Sequence, residues 1–127
     1  MALSAEDRLD IMQLAARYNQ AIDGGDARTW VATFTPDGTF EAGEMKFAGA
    51  EELEAFARGF PDQVPNARHW TNNILIEGDG DEATLSCYLH LLRVGDGAET
   101  VLTGRYDDRL HKVDGEWKFT HRRATFD

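Results

Sequence analysis

The sequence predicts an α+β fold in which a curved antiparallel sheet wraps its concave face around helices that come first in the chain. Apolar residues recur at helical spacing only in the first half, and the second half is four long strand-like segments separated by short Gly-Asp turns. No Pro/Gly-rich linker, repeat or low-complexity tract divides the 127 residues, a length suited to one hydrophobic core, so residues 1–127 read as a single domain.

The elements follow in order. Leu9, Met12, Leu14, Ala15, Tyr18 and Ile22 sit at helical spacing from Ser4 to Ile22, and Ser4 followed by Asp7 has the pattern of a capping box. Asp23-Gly24-Gly25-Asp26 stops this helix, because glycine tolerates the positive φ of a helix end, and Asp26 caps a second short helix over Ala27 to Phe34. Pro36-Asp37-Gly38 predicts a turn. After it, Thr39-Phe40-Glu41 and Met45-Lys46-Phe47 predict a short hairpin around Ala42-Gly43-Glu44. A third helix is predicted over Ala50 to Phe60, with Leu53, Phe56, Ala57 and Phe60 on one face, closed by Pro61 and Pro65. Strands are then expected over His69–Glu77, Ala83–Val94, Thr100–Lys112 and Glu116–Phe126.

Residues two apart on a strand share a face, so side chains can be assigned to sides. Leu102, Gly104, Tyr106, Asp108 and Leu110 share the inward face of the third long strand, and Thr103, Arg105, Asp107, Arg109 and His111 the outward one. On the last strand Trp117, Phe119, His121 and Arg123 alternate with Lys118, Thr120, Arg122, Ala124 and Phe126, so neither side is purely apolar and parity does not choose between them.

Composition excludes several classes of function. Thirteen Lys and Arg against 23 Asp and Glu give a net charge of −10, which repels nucleic-acid phosphates and anionic lipid. The one cysteine, Cys87, lies in the apolar run from Leu85 to Leu92 and reads as a small buried hydrophobe, which suits a reducing, cytoplasmic setting. No apolar stretch reaches the roughly 18 residues of a membrane span, and the first residues lack a basic start and an apolar signal core. There is no Gly-x-Ser-x-Gly elbow, no phosphate-binding glycine loop and no His-Glu-x-x-His or paired-cysteine metal motif, so neither a cofactor nor a metal is expected.

Four strings, in this order and spacing, carry a family likeness: Ala16-Arg17-Tyr18-Asn19-Gln20-Ala21-Ile22-Asp23-Gly24-Gly25-Asp26, Arg68-His69-Trp70-Thr71-Asn72-Asn73, Gly104-Arg105-Tyr106-Asp107-Asp108, and Asp114-Gly115-Glu116-Trp117-Lys118-Phe119 with Arg122. They resemble the SnoaL-like branch of the nuclear-transport-factor-2-like superfamily, in particular the group of scytalone dehydratase and hexachlorocyclohexane dehydrochlorinase. The resemblance implies a cone-shaped fold with a deep apolar pocket, assembled into oligomers through the outer sheet face; Leu85, Cys87, Leu89 and Leu91 opposite Tyr88, His90 and Leu92 leave enough outward apolar surface to expect a homodimer or homotrimer. The resemblance also implies a dyad of Asp23 and His69, and places Arg122 at the position of the dehydrochlorinase pocket arginine and Tyr106 at that of a pocket hydrogen-bonding residue.

A histidine whose far N–H is held by a carboxylate is a base that works near neutral pH. Asp23 and His69 could thus abstract a proton from a hydrophobic small molecule, with Tyr18, Tyr106, Asn73 and Arg122 as candidates for holding the substrate and its developing charge. Tyr18 lies five residues before Asp23, about 140° away around a helix axis. Each residue also has a plainer reading. Asp23 could terminate one helix and cap the next, His69 could be a core histidine satisfied by backbone, and Arg122 could be a surface or interface salt bridge. Tyr106 could be packed core, and Asn73 could serve a strand end. His90 shares a face with Ser86 and Tyr88 and is a candidate second pocket histidine, whereas Trp30, Trp70, Phe34, Phe40, Phe47 and Phe56 read as core or pocket lining. The expected function is a cofactor-independent lyase of the dehydratase or dehydrohalogenase kind. The alternatives are an isomerase or cyclase of secondary metabolism using the same base, or a non-catalytic small-molecule-binding module.

Overall fold

In the computed structural model, which describes residues 1–127, helix α1 (Ala5–Asp23) starts where Ser4 and Asp7 close a capping box. The Asp7 N–H donates to Ser4 Oγ at 3.0 Å, and the Ser4 hydroxyl donates back to Asp7 Oδ2 at 3.0 Å. Ile11, Leu14, Ala15, Tyr18 and Ile22 are its buried residues at helical spacing, and they face the sheet. Helix α2 (Ala27–Ala32) is capped by Asp26 and stops two residues short of Phe34, which opens a strand instead. Helix α3 (Gly49–Gln63) runs past Pro61 rather than closing there. So close to the helix end the proline removes only the bond of its own nitrogen, and the Val64 N–H still reaches Phe60 O at 2.9 Å.

Six strands form one sheet: β1 (Phe34–Ala42), β2 (Met45–Ala48), β3 (Ala67–Asp79), β4 (Glu82–Gly95), β5 (Gly97–Val113) and β6 (Glu116–Phe126). Their order is β2-β1-β6-β5-β4-β3. All neighbours are antiparallel except β1 and β6, which run parallel and join the early hairpin to the end of the meander. The turn expected at Pro36-Asp37-Gly38 is a correction: it lies inside β1. Phe34 pairs with Phe119 and Thr39 with His121, so the intervening residues bulge out of register, which accommodates a proline that has no N–H to give the ladder.

Two further irregularities decide which side chains face inward. On β6 the partners step from Phe119 with Leu110 to His121 with Arg109, leaving Thr120 as an extra residue. Trp117 and Phe119 before this bulge and Arg122 and Ala124 after it are all buried, although strict alternation would divide them between faces. On β3 the register slips between Asn72 and Leu75, and Asn73 takes a left-handed φ of 53°. Below the slip Ala67, His69 and Thr71 turn inward, and above it Ile74 and Ile76 do. β5 keeps the predicted parity, with Tyr106, Asp108 and Leu110 buried and Arg105, Asp107 and Arg109 exposed.

Between helices and sheet lies a core rich in aromatic rings, in which Tyr18 packs against Trp30, Phe34, Tyr106 and Phe119 at centroid separations of 5.4 to 6.1 Å. Trp70 does not belong to it; it stands on the outer sheet face, 59% exposed, with its ring edge-on to His90 at 6.3 Å between centroids.

Within this apolar core sits an ion pair. Arg122 Nε donates to Asp108 Oδ1 at 2.9 Å, both side chains are fully buried, and the guanidinium carbon lies 3.6 Å from the Tyr106 ring centroid, 4.3 Å from that of Tyr18 and 4.6 Å from that of Phe119. Burial pushes the Asp108 carboxyl up to about 6, against the pull of Arg122, so it remains charged at neutral pH. At the other end of the molecule Asp7 fastens α1 to the β5–β6 hairpin, accepting from Lys112 Nζ and from Trp117 Nε1, each at 3.0 Å. Lys112 first, then Trp117 and the Ser4 cap, hold this carboxyl well below the usual carboxylate range.

Two stability outcomes follow from these contacts. Asp108→Asn or Arg122→Met alone strands a buried charge and should cost about 3–5 kcal/mol in urea unfolding, whereas the double variant Asp108→Leu/Arg122→Met should lose far less than the sum; an additive loss would contradict the ion-pair reading. Because the folded pKa of Asp7 is depressed, its contribution is complete above the unfolded value near 3.8 and fades as the pH falls below it. The stability gap between the wild type and Asp7→Asn should therefore be flat from about pH 5 to 7 and shrink in acid, as read by thermal melts across that range.

Candidate active site

The end of α1 is built to deliver a carboxylate. The Gly24 N–H donates to Gln20 O at 2.9 Å and the Asp26 N–H to Ala21 O at 2.9 Å, while Gly25 turns the chain at φ 73°, a conformation that favours glycine. Asp23 is thus the last helical residue, facing the start of β3. There it accepts three hydrogen bonds from one partner: His69 Nδ1 lies 2.6 Å from Asp23 Oδ1, and the His69 backbone N–H lies 3.2 Å from Oδ1 and 3.0 Å from Oδ2. Both side chains are nearly buried, with 12% of Asp23 and 7% of His69 exposed. One turn earlier on α1 and two residues later on β3, Asn19 Nδ2 donates to Thr71 Oγ1 at 3.1 Å, a second rung between the same helix and strand.

This arrangement assigns the histidine tautomer. A carboxylate accepts from the nitrogen that carries the proton, so Nδ1 is the N–H and Nε2 of the neutral ring keeps its lone pair. Nε2 has no hydrogen-bond partner in the chain and is not among the sealed polar atoms. The ring, with Phe60 at 5.4 Å, lines a cavity of about 210 Å³. Fifteen of the 17 lining residues are hydrophobic, and the two others are His69 and Gln63, so the imidazole faces a weakly polar space. The more exposed Met45, Gln63, Val101 and Phe126 border it on the solvent side. A wider hollow of about 650 Å³ on the outer sheet face, bordered by Arg109, His121 and Arg123, includes neither Asp23 nor His69.

The sequence candidates separate clearly. Asp23 and His69 are together, and Tyr18 and Tyr106 line the cavity. The 140° between Tyr18 and Asp23 is no obstacle, because Asp23 stands behind His69 rather than in the cavity wall. Burial raises the pKa of Tyr18 and pushes that of Tyr106 well above its ordinary value, so both phenols stay protonated and able to donate. Arg122 is neither at the surface nor at an interface, and it does not line the cavity; it lies beneath the two tyrosine rings, paired with Asp108. Asn73 is exposed at the β3 bulge and away from the lining, and His90 lies on the outer face, with Nε2 2.8 Å from Thr100 Oγ1. Residues not expected from sequence are Gln63, Met45, Val101 and Phe126 at the rim. They are far apart in the chain and carry no motif; only the fold assembles them. Asp108 is a different case: parity put it on the face it shares with Tyr106 without assigning it a role, and the structure buries it there against Arg122.

No group of three or more His, Cys, Asp or Glu side chains is arranged to hold a metal ion. Burial pushes the Cys87 thiol up to about 11, which keeps it protonated and unreactive. No helix is long and apolar enough to cross a membrane.

Comparison with solved structures finds the same fold over essentially the whole chain. A protein of unknown function with a cystatin-like fold from Nostoc punctiforme PCC 73102 is 32% identical with a TM-score of 0.94, covering 100% of this chain and 96% of that one. A D26N variant of Rv3472, a protein of unknown function from Mycobacterium tuberculosis, is 34% identical with a TM-score of 0.91, covering 98% of this chain and 78% of that one. An NTF2-like protein with a cystatin-like fold from Novosphingobium aromaticivorans is 22% identical with a TM-score of 0.87, covering 95% and 82%. No curated protein matches. The NTF2-like fold is generally a small-molecule-binding domain. The model of the SnoaL-like domain matches residues 3–123, and with the cavity and the α+β architecture in place this chain belongs to the SnoaL-like family.

Proposed function

We propose that the chain is a cofactor-independent lyase of the dehydratase or dehydrohalogenase kind, in which His69 is the general base and Asp23 orients it, acting on a hydrophobic small molecule. The observation that carries this reading is the 2.6 Å contact between His69 Nδ1 and Asp23 Oδ1, with the same ring bordering an apolar cavity. Membership of the SnoaL-like family supports a small-molecule-processing enzyme in general terms. An isolated core histidine would have both nitrogens satisfied, whereas here Nε2 has no partner.

The chemistry is a proton abstraction followed by expulsion of a leaving group. Nε2 takes a proton from a carbon next to a carbonyl, and the electron pair moves onto the carbonyl oxygen. The hydroxyls of Tyr18 and Tyr106 are the donors for that charge. The pair then returns to form the carbon–carbon double bond as hydroxide or halide departs from the neighbouring carbon. With hydroxide, the proton on Nε2 passes to it and water leaves; with halide, the proton goes to solvent. Asp23 stabilises the imidazolium between the two steps, and its bonds to the His69 backbone N–H hold the geometry while the charge changes.

The test is a panel of compact cyclic β-hydroxy and β-halo ketones, assayed for the conjugated product and for released halide. His69→Ala should lower kcat/KM by about 100-fold or more with the thermal melt preserved, and Asp23→Asn should cut kcat with a smaller change in KM. Undiminished turnover in a folded His69→Ala protein would refute the mechanism. Isomerised product without leaving-group release would establish the isomerase reading instead, and tight binding without any turnover the binding module.

A further inference from the structure

The Arg122–Asp108 pair is the most buried charge in the molecule that the proposed reaction leaves unused. Three features set it apart from an ordinary core ion pair. It is incompletely satisfied: Arg122 Nη1 and Asp108 Oδ2 are sealed from solvent and have no hydrogen-bond partner. It is off-centre, because Asp108 engages the guanidinium at Nε while the aromatic contacts lie over the plane, the Tyr106 ring at 3.6 Å and the Tyr18 ring at 4.3 Å. Those two rings belong to the cavity that His69 lines, so the cation is separated from that space by one layer of phenol.

A positive charge beneath a phenol stabilises negative charge on its oxygen, which makes its O–H more acidic and a stronger donor. In a water-poor site that polarisation is weakly screened. No carboxylate, carbonyl or amide of the chain accepts a hydrogen bond from either phenol at ordinary geometry. The Tyr106 and Tyr18 hydroxyls interact with each other, and unlike the Trp30 indole nitrogen neither is among the sealed, unpartnered atoms, so the pair retains a proton to donate into the cavity that both residues line. Burial opposes phenolate formation at Tyr18 and Tyr106 while Arg122 favours it. The outcome is a protonated donor with a cation behind it. Cys87, the other polarisable group at the pair, lies 3.9 Å from Arg122 Nη2 and takes up little of this charge as a neutral thiol.

We propose that Arg122 is a positioning residue for an oxyanion: held by Asp108, it acts through the Tyr18 and Tyr106 rings so that their hydroxyls stabilise negative charge on a ligand oxygen, and the ligand class is a compact apolar molecule with a carbonyl or phenol oxygen. This rests on the lyase reading, which needs such a charge to form when Nε2 removes its proton, but it concerns the opposite wall of the cavity and can be tested apart from the base. The balance is simple. The proton goes to Nε2, the electron pair to the ligand oxygen, and the tyrosines donate hydrogen bonds without giving up their own protons.

The probes are 4-nitrophenolate, at a pH where the free phenol is ionised, and nitrobenzene as its uncharged counterpart, titrated by calorimetry against the intact protein. The wild type should bind the phenolate about tenfold or more tightly than nitrobenzene. Arg122→Met should erase most of that preference while leaving nitrobenzene affinity within about twofold, a selectivity that a merely structural arginine would not control. Tyr106→Phe and Tyr18→Phe keep the packing and should each reduce the preference, so the proposal stays testable if Arg122→Met fails to fold. The readout is binding and needs no turnover, which separates this inference from the fate of the lyase reading. A wild type with no preference for the phenolate, or a preference unchanged in the Tyr18→Phe/Tyr106→Phe double variant, overturns the proposal.

Discussion

A strand that alternates strictly has one face for the core and one for solvent, and β6 could not serve this fold if it kept to that rule. With Trp117 and Phe119 inward, strict alternation would next send His121 and Arg123 into the core and Arg122 and Ala124 out to solvent. The extra residue at Thr120 shifts the second half of the strand by one, so Arg122 enters the core opposite Asp108 and His121 leaves it. Both the ion pair under the tyrosines and the small Ala124 that leaves room for the cavity depend on that one-residue offset. On β3, the slip at Asn73 lets His69 and Thr71 face α1 while Ile74 and Ile76 still reach the core.

The polar groups of the interior are segregated by depth. At the seam between α1 and β3, Asp23 takes three hydrogen bonds from His69, and Asn19 with Thr71 adds a second rung, so a helix end and a strand start are held as one unit. Beneath the cavity, Arg122 and Asp108 neutralise each other behind aromatic rings. Between them lies a space with almost no polar lining. Under the proposed reaction, this weakly polar gap between the histidine and the two phenols would give a substrate one favourable orientation, with its acidic hydrogen toward His69 and its oxygen toward the phenols.

Much of this was legible in the residues themselves. The Ser4–Asp7 capping box, the α1 stripe and the inward parity of Tyr106 and Asp108 follow from local rules that the fold obeys. The family likeness covers the same ground, and the match over residues 3–123 agrees with it. What escaped had a common cause, the register breaks. Parity could not place Arg122 because the bulge at Thr120 depends on how β6 meets β5, and it could not place Asn73 because the slip there depends on β4. Pro36-Asp37-Gly38 has the composition of a turn, yet pairing with a distant strand on either side absorbed it as a bulge. Trp70 was misplaced for another reason. Aromatic character alone does not say which face of the sheet a residue takes, and the neighbour of an inward His69 must point outward.

The parallel contact between β1 and β6 sets the order in which this molecule can be completed. β1 is the first strand of the sheet in chain order, but its partner on one side is the last of the six to be made. Until β6 arrives, Phe40 and the helices packed near it have no continuous sheet to cover them, and the aromatic cluster around Tyr18 lacks Phe119. Contacts between such distant segments form slowly, since the long loop must close before it is rewarded. A truncated or stalled chain would therefore present its most apolar surface to the cell at the place where the finished protein keeps its cavity.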